Sequence, residues 1–492
     1  MKGGHIQMEE NKNENINETV SEPVQEPVST PPTRRRRPKS KMEIFKETTL
    51  PLIILAVAAV LILVFIIGSI TRGVQKRHIE RDASIAVSES IAEEEVRLGN
   101  EVADILADSE ALAKGYDFQG AIDRINSFSG NVGGYPELQD ALARYEYGKQ
   151  SLVLWEDPNS ILNLSFQTLI ADPERAFNHW EWGSSLKKNY ITTNEFRNVL
   201  QKLYDNNFIL VNFEDFVTTT TNEAGLPVYK YKELYLPDGK KPLMLTTTNV
   251  NYPLYLVDSD GDLQADQGGV GIASKLVLDS DGSVTCEMVN ADGTVTTGAY
   301  DFIPILDEFV EEHPDFSYGG AKAVVALTGY NGLFGYRTNA DGRAWLGEEQ
   351  YAKDAESVKA IAQALTDSGY ELAYYTYANS AYARFTLPMI QGEMNSWNSE
   401  VVPLIGNVEI MVSAQNSDIS SSVVMSGDKY AYLKSCGFNY FIGYGADGAS
   451  YSFIADEYVH QGRLMVTGYN LAYNTNWYIS LFDTDGILEY AR

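Results

Sequence analysis

Leu50–Ile70 (LPLIILAVAAVLILVFIIGSI) is a run of 21 residues without one charged side chain, and nothing else in the chain restricts its architecture as strongly. A helix of that length crosses about 30 Å, the thickness of a bilayer hydrocarbon core. Pro51 suits the first helical turn, where the missing N–H has no partner to lose. A cleaved signal peptide has a shorter apolar core and opens the chain. Here a polar segment precedes the run, so 48–70 reads as an uncleaved transmembrane helix.

The flanks orient it. Arg34, Arg35, Arg36, Arg37, Lys39, Lys41 and Lys46 precede the span, and Arg72, Lys76, Arg77 and Arg81 follow it, a bias that puts the amino terminus inside the cell. Residues 1–47 are rich in Asn, Glu, Pro and Thr and poor in aromatic residues. They cannot bury enough apolar surface to fold and read as a disordered cytoplasmic tail. Arginine clusters also occur in nucleic-acid-binding and nuclear-targeting segments, but beside a membrane span topology and contact with anionic lipid account for this one. The expected location is the cell membrane, single-pass, with the large domain outside.

Charge narrows the partners. The formal net charge is −29, and residues 1–47 are nearly balanced, so the acidity belongs to the external part. Such a surface repels nucleic acid and anionic wall polymers unless cations screen it, and no nucleic-acid partner is expected. Cys286 and Cys436 both fall on the outer side; the sequence does not bring them within disulfide reach, and their pairing stays open.

Residues 71–150 read as a helical stalk. Ile85, Val87, Ile91, Val96, Leu98, Val102, Ile105 and Leu106 give an amphipathic period, and Leu112, Ala113, Gly115, Tyr116, Ala121 and Ile122 resemble a helix hairpin of the tetratricopeptide type. One such unit cannot make an array. It reads as a spacer with a docking or dimerising face.

Residues 151–492 alternate strands with helices. Phe196, Leu200, Leu203 and Tyr204 recur at helical spacing, and Ile209, Val211 and Phe213 then alternate as in a strand. Ile303–Val310 and Ser357–Leu365 read as helices, Ala321–Leu327 and Val408–Val412 as buried strands. This order implies a parallel sheet. An insertion at about 254–300 carries Asp260-Gly261, Asp281-Gly282 and Asp292-Gly293, and Lys275–Leu278 with Ser283–Val289 reads as a hairpin because Gly supplies the positive φ of a tight turn. Asp258, Asp260 and Asp262 alternate as in a calcium loop. Gly261 comes too early, however, and Gly269 stands where a twelve-residue loop needs its bidentate Glu, so no calcium site is expected.

Two stretches carry the chemistry, Lys241–Tyr252 (KPLMLTTTNVNY) and Gly369–Ser380 (GYELAYYTYANS). They resemble the metal-binding motifs of the polysaccharide deacetylases, carbohydrate esterase family four, with the ligands replaced. In that family a buried strand ends in Thr-Phe-Asp-Asp-Gly, and a later motif reads Gly-His-Glu-Ile-x-x-His-Thr-x-x-His. Here Thr247, Thr248, Asn249 and Val250 occupy the places of Phe, Asp, Asp and Gly. Gly369, Glu371, Leu372 and Thr376 are kept, while Tyr375 and Asn379 stand at the two histidine ligand positions. A third motif, an Arg or Phe with Pro and Gly, is degraded to Ser413, Ala414, Gln415, Asn416, Ser417 and Asp418. Trp155–Phe177 resembles the opening strand and loop of deacetylase-like proteins of Gram-positive bacteria.

The resemblance implies an α/β fold, a distorted (β/α) barrel of the polysaccharide deacetylase type over 151–492, with its site at the carboxyl ends of the strands. The residues themselves argue against its chemistry. Thr248 is not ionised near neutral pH, Asn249 offers only a neutral carbonyl oxygen, and the phenol of Tyr375 and the amide of Asn379 are equally poor metal donors. Of the five histidines, His179, His313 and His460 are scattered and form no H-x-x-x-H pair. The catalytic positions Thr248, Asn249, Tyr375 and Asn379 are therefore expected to be vestigial, with no metal or other cofactor.

What remains is recognition. Tyr330, Tyr336, Tyr374, Tyr375, Tyr377 and Tyr382 crowd the motif loops. Aromatic faces with amides and hydroxyls are a means of holding sugars, although tyrosine also packs sheets. Asn249, Tyr375, Asn379 and Tyr377 are the expected substrate-binding set, with a cell-wall glycan or a wall-assembly protein as partner. The competing expectation is an active deacetylase that recruits a zinc-like divalent metal through Asp418, Glu393 or His460.

Overall fold

A computed structural model of the chain describes residue 42 and residues 50–492, except 420–422 and 446–449. Apart from Met42, the tail 1–47 lies outside the described residues. The chain divides into two units, Met1–Glu93 and Glu94–Arg492.

Helix α1 runs Leu50–Lys114. Leu52, Ile54, Leu55, Leu61, Leu63 and Phe65 are exposed around its whole circumference, which for an uncharged segment of this length marks a candidate membrane span. The helix does not break at residue 70, the boundary expected from the sequence. Ile85, Val87, Ile91 and Val96 are also exposed, and the apolar period packs only further on, where Val102 and Ile105 meet α2 (Phe118–Asn126) and α3 (Pro136–Ser151) through Ala121, Ile125, Leu138 and Tyr145. Asp117 caps α2, accepting from the Gly120 N–H at 2.8 Å. The α1–α2 turn meets the barrel, the Gly319 N–H donating to the Gly115 carbonyl at 2.8 Å.

Seven parallel strands close the barrel. They are β1 (Leu162–Phe166), β3 (Lys241–Thr248), β7 (Val324–Leu327), β8 (Glu371–Tyr374), β9 (Ile410–Val412), β10 (Tyr440–Tyr444) and β12 (Val459–Met465). Each pairs with the next in that order, and β12 returns to β1. Two short strands sit outside the ring, β2 (Phe208–Leu210) on β3 and β11 (Tyr451–Ile454) on β12. The interior is apolar toward the amino ends of the strands, with Met244, Val324, Ala373, Ile410 and Val459. Higher up it becomes a buried amide ladder. Thr246 donates to Asn163 at 3.0 Å, Asn163 to Gln461 at 2.8 Å and Gln461 to Ser452 at 2.9 Å, so the side chains of this ladder satisfy one another.

Helices cover the outside. α4 (Thr193–Asp205) opens with a capping box in which Thr192 and Glu195 exchange bonds of 3.1 and 2.8 Å. Its Phe196, Leu200 and Leu203 pack in the outer core with α5 (Phe302–Glu312) and α6 (Glu348–Asp367). Val211 and Phe213, expected to prolong β2, instead lead into a helical turn at Phe213–Phe216. The insertion is a three-stranded antiparallel sheet, β4 (Lys275–Leu278), β5 (Val284–Val289) and β6 (Val295–Gly298). Gly282 and Gly293, at φ 87° and 80°, make its turns. Asp260-Gly261 makes no hairpin; the Asp258 carboxylate folds that loop on itself, accepting from the N–H groups of Asp260, Gly261 and Leu263. Both cysteines are free thiols, Cys286 fully buried.

Candidate functional site

A cleft of about 420 Å³ opens at the carboxyl ends of the barrel strands, within the roughly 300–1,000 Å³ typical of small-ligand sites. Gln167 comes from the end of β1, Asn249 from β3, Tyr375 and Asn379 from β8, Gln415 and Asn416 from β9, Tyr444 from β10, and Met465, Thr467, Tyr469 and Asn470 from β12 and its sequel. Ser185, Lys188 and Asn189 form one wall from the short helix Gly183–Asn189. Among the described residues Lys188 is the one charged side chain of the lining, and amides and hydroxyls make up most of the rest.

The backbone here is held in unusual conformations. Asn249, Thr376, Asn379, Gln415 and Asn416 all have positive φ, between 49° and 65°. Asn tolerates this region, but for β-branched Thr376 it is a true outlier that surrounding structure must enforce. Thr376 is fully buried and its Oγ1 accepts from the Ser380 N–H at 2.6 Å. Asn249 is anchored on both sides, its side chain donating to Gln167 at 3.1 Å and its carbonyl accepting from Thr168 at 2.9 Å.

Three of the residues singled out in the sequence meet in this cleft, namely Asn249, Tyr375 and Asn379. Asn379 keeps a buried Oδ1 without a partner among the described residues. Thr248 does not line it: fully buried, it turns its hydroxyl to the Phe166 carbonyl at 3.3 Å. Tyr377 is a correction. It lies behind the cleft, donating to Glu400 at 2.6 Å with its ring against Gly329. Tyr374 and Tyr382 are packing residues, joined hydroxyl to hydroxyl in the outer core.

Beneath Tyr375 lies Arg463, fully buried, its guanidinium carbon 5.8 Å from the ring centre. It donates to the Ser413 carbonyl at 2.7 Å and to the Ile442 and Gly443 carbonyls at 3.2 Å, tying β9, β10 and β12 together. Burial, and then the nearby hydroxyls of Tyr255, Tyr330 and Tyr375, push the Tyr190 phenol far above its usual value, so the lining stays neutral there. A divalent catalytic metal takes imidazole nitrogen or carboxylate oxygen. Neither lines the cleft among the described residues, so this donor set does not fit such an ion.

Asp418 and His460 do approach each other, both facing Gly443. Burial raises the Asp418 carboxyl and lowers the His460 imidazole, each opposed in part by the other's charge. His460 is occupied by the Val423 carbonyl at 2.8 Å. Glu393 belongs to a different network, accepting from Ser380 and, at 3.0 Å, from Tyr382. Among the described residues the one group of three acids or histidines close enough to share an ion is Asp258, Asp260 and Asp262, whose carboxylates are engaged in turn hydrogen bonds.

Sequence reasoning missed Lys188, Gln167, Tyr444, Tyr469 and Asn470. Gln167 follows its strand directly, a position that reads as site-forming once the barrel is known, whereas Asn470 lies in the short helix Gly468–Tyr473 beyond β12. Lys188 sits in a helix of seven residues, too short for a period.

No protein-family model matches the chain, and no curated protein matches it by sequence. Among solved structures it is similar to the Streptococcus pyogenes deacetylase PplD in complex with acetate, at 11% identity and a TM-score of 0.34, over 67% of this chain and 99% of that one. It is also similar to a Bacillus anthracis protein assigned as a polysaccharide deacetylase, at 9% identity and a TM-score of 0.32, over 64% and 66% of the two chains.

Proposed function

We propose that this chain is a membrane-anchored, extracytoplasmic protein whose deacetylase-like barrel binds a cell-wall glycan without turning it over. One observation carries the reading: six strand ends converge on a concave cleft lined by amides and hydroxyls, with its backbone held in enforced conformations and, among the described residues, no carboxylate or imidazole in the lining. Hydroxyl and acetamido groups of a sugar suit such a lining, which can donate and accept at every wall. Among the described residues the lining offers no carboxylate or imidazole as a general acid or base, and Thr, Asn and Gln do not exchange protons near neutral pH.

The test uses the full-length chain in detergent. It should be retained on purified wall polymer, and Tyr375→Ala should weaken retention several-fold. Equal and negligible retention of both forms across wall fractions would remove the glycan and leave a wall-assembly protein as the partner. The competing deacetylase reading, with a metal held through Asp418, Glu393 or His460, predicts acetate release from acetylated chitin oligomers that a chelator abolishes. Location is tested separately: a thiol reagent applied to intact cells should label a cysteine engineered in the barrel and spare one engineered in residues 1–47.

A further inference from the structure

We propose that Lys188 makes the cleft select glycans that carry a carboxylate or phosphate group; this rests on the glycan reading of the same cleft. The chain has 67 acidic against 38 basic residues, so a lysine without an acid beside it runs against the prevailing composition. Lys188 is such a lysine. Among the described residues no Asp or Glu lines its cleft, and Lys188 makes no ion pair.

What holds it is an aromatic face, the ammonium lying 5.3 Å from the centre of the Tyr469 ring. That contact aligns the charge without neutralising it. Tyr469 itself lines the cleft and is 42% exposed, so a sugar ring against the phenol would carry its acidic substituent to the ammonium. Ser185, one turn earlier on the same short helix, and Asn189, the next residue, add a hydroxyl and an amide. The lining residues from the strand ends, Asn249, Tyr375 and Asn379, are neutral. The cleft thus combines an anion-seeking ammonium with strand ends suited to hydroxyl and acetamido groups.

The rest of the surface repels an anionic polymer, but that repulsion is screened over about 8 Å at physiological ionic strength. Lys188 is itself exposed, and a contact to its ammonium is short-range. A charge-assisted hydrogen bond of this kind corresponds to about tenfold in affinity.

Affinity of the full-length chain in detergent at 0.15 M salt should be measured for three probes. These are chitotetraose as the neutral reference, a tetrasaccharide of alternating N-acetylglucosamine and N-acetylmuramic acid as the carboxylate, and a glycerol phosphate oligomer as the phosphate. At least one anionic probe should bind about tenfold more tightly than chitotetraose, and which one does identifies the source of the anion. Lys188→Gln should bring that ratio close to one, while Lys188→Arg should keep it. A wild-type ratio near one with chitotetraose well bound overturns the role of Lys188 and leaves the glycan reading intact. An anionic preference that survives Lys188→Gln overturns it too. If none of the three probes binds, the role of Lys188 and the glycan reading fall together.

Discussion

The two ends of the barrel are built from the same strands by opposite means. At the base, Phe213, Phe216, Tyr229 and Tyr440 close the bore, with Phe213 and Tyr440 ring centres 4.7 Å apart. At the mouth, amides and hydroxyls surround an open cleft, and five non-glycine residues hold positive φ. Base residues gain their energy from burial, whereas mouth residues sit in backbone conformations that burial elsewhere must stabilise. Substitution of side chains at the mouth therefore leaves the base, and with it the fold, untouched.

The sharpest way to break this contrast is at the base. Phe213→Ala should cost about 3–5 kcal/mol in urea unfolding while leaving any wall-polymer retention of the folded fraction unchanged. A cost below about 1 kcal/mol would mean that the base is not the stabilising end.

Next comes the layer under the mouth. Arg463→Ala strands three carbonyls and removes a fully buried side chain, and should cost about 3 kcal/mol. A fall in the cooperativity of unfolding would accompany it if β9, β10 and β12 part company. A near-neutral result would show that the mouth is polar surface with no structural burden.

The third test is a pH profile. Burial pushes Asp215 up to about 7 and Glu371, at the edge of a groove under the base, up to about 8. Glu214 adds to both, Asp117 opposes ionisation of Asp215, Lys232 favours it, and backbone N–H groups of Asn212 and Phe213 favour the two charged forms. Each acid is held above its unfolded value, so its contribution is complete below about pH 4 and is lost as pH rises through 7 and 8. Because Glu371 is open to its groove, we expect it to account for about 1–2 kcal/mol. Melting temperature should fall between pH 5 and pH 9, and Glu371→Gln should flatten the upper part of that fall. A profile identical in the mutant would dissociate Glu371 from it.

The smallest effect is at the mouth. Gln415, exposed at φ 54°, should gain up to about 1 kcal/mol on replacement by Gly, and ligand retention should weaken as a lining side chain is lost. If stability falls instead, the conformation is not a strained one.

Much of this was legible in the chain. Residue patterning marked α4 and α5, while β3 and the Thr248-Asn249 and Tyr375-Asn379 positions came from the resemblance, which implied that a parallel barrel gathers those strand ends in one place. Side-chain direction was not legible. Thr248 and Asn249 are neighbours, yet the alternation of the strand sends one into the barrel wall and the change to positive φ turns the other into the cleft. Tyr377 fell outside for the same reason, lying just beyond the reversal at Thr376. The third strand of the insertion, Val295–Gly298, escaped because its exposed residues show no apolar alternation. The continuity of α1 past residue 70 escaped because lipid-facing and water-facing helices differ in composition and not in backbone.

The position of β1 has a kinetic consequence. Its two neighbours in the ring are β3, some 80 residues ahead, and β12, whose Gln461 is bonded to Asn163 across 298 positions of sequence. The first strand therefore has one edge unfilled until the last has been synthesised. Loops of that length close slowly, and an unpaired edge attracts wrong partners in the meantime. On a ribosome adding roughly 5–20 residues per second, the wait is on the order of tens of seconds. During that interval β1 depends on β3 and on the α4 face for shelter, so chaperone dependence should track lesions in that early half of the ring more closely than lesions in β9 or β10.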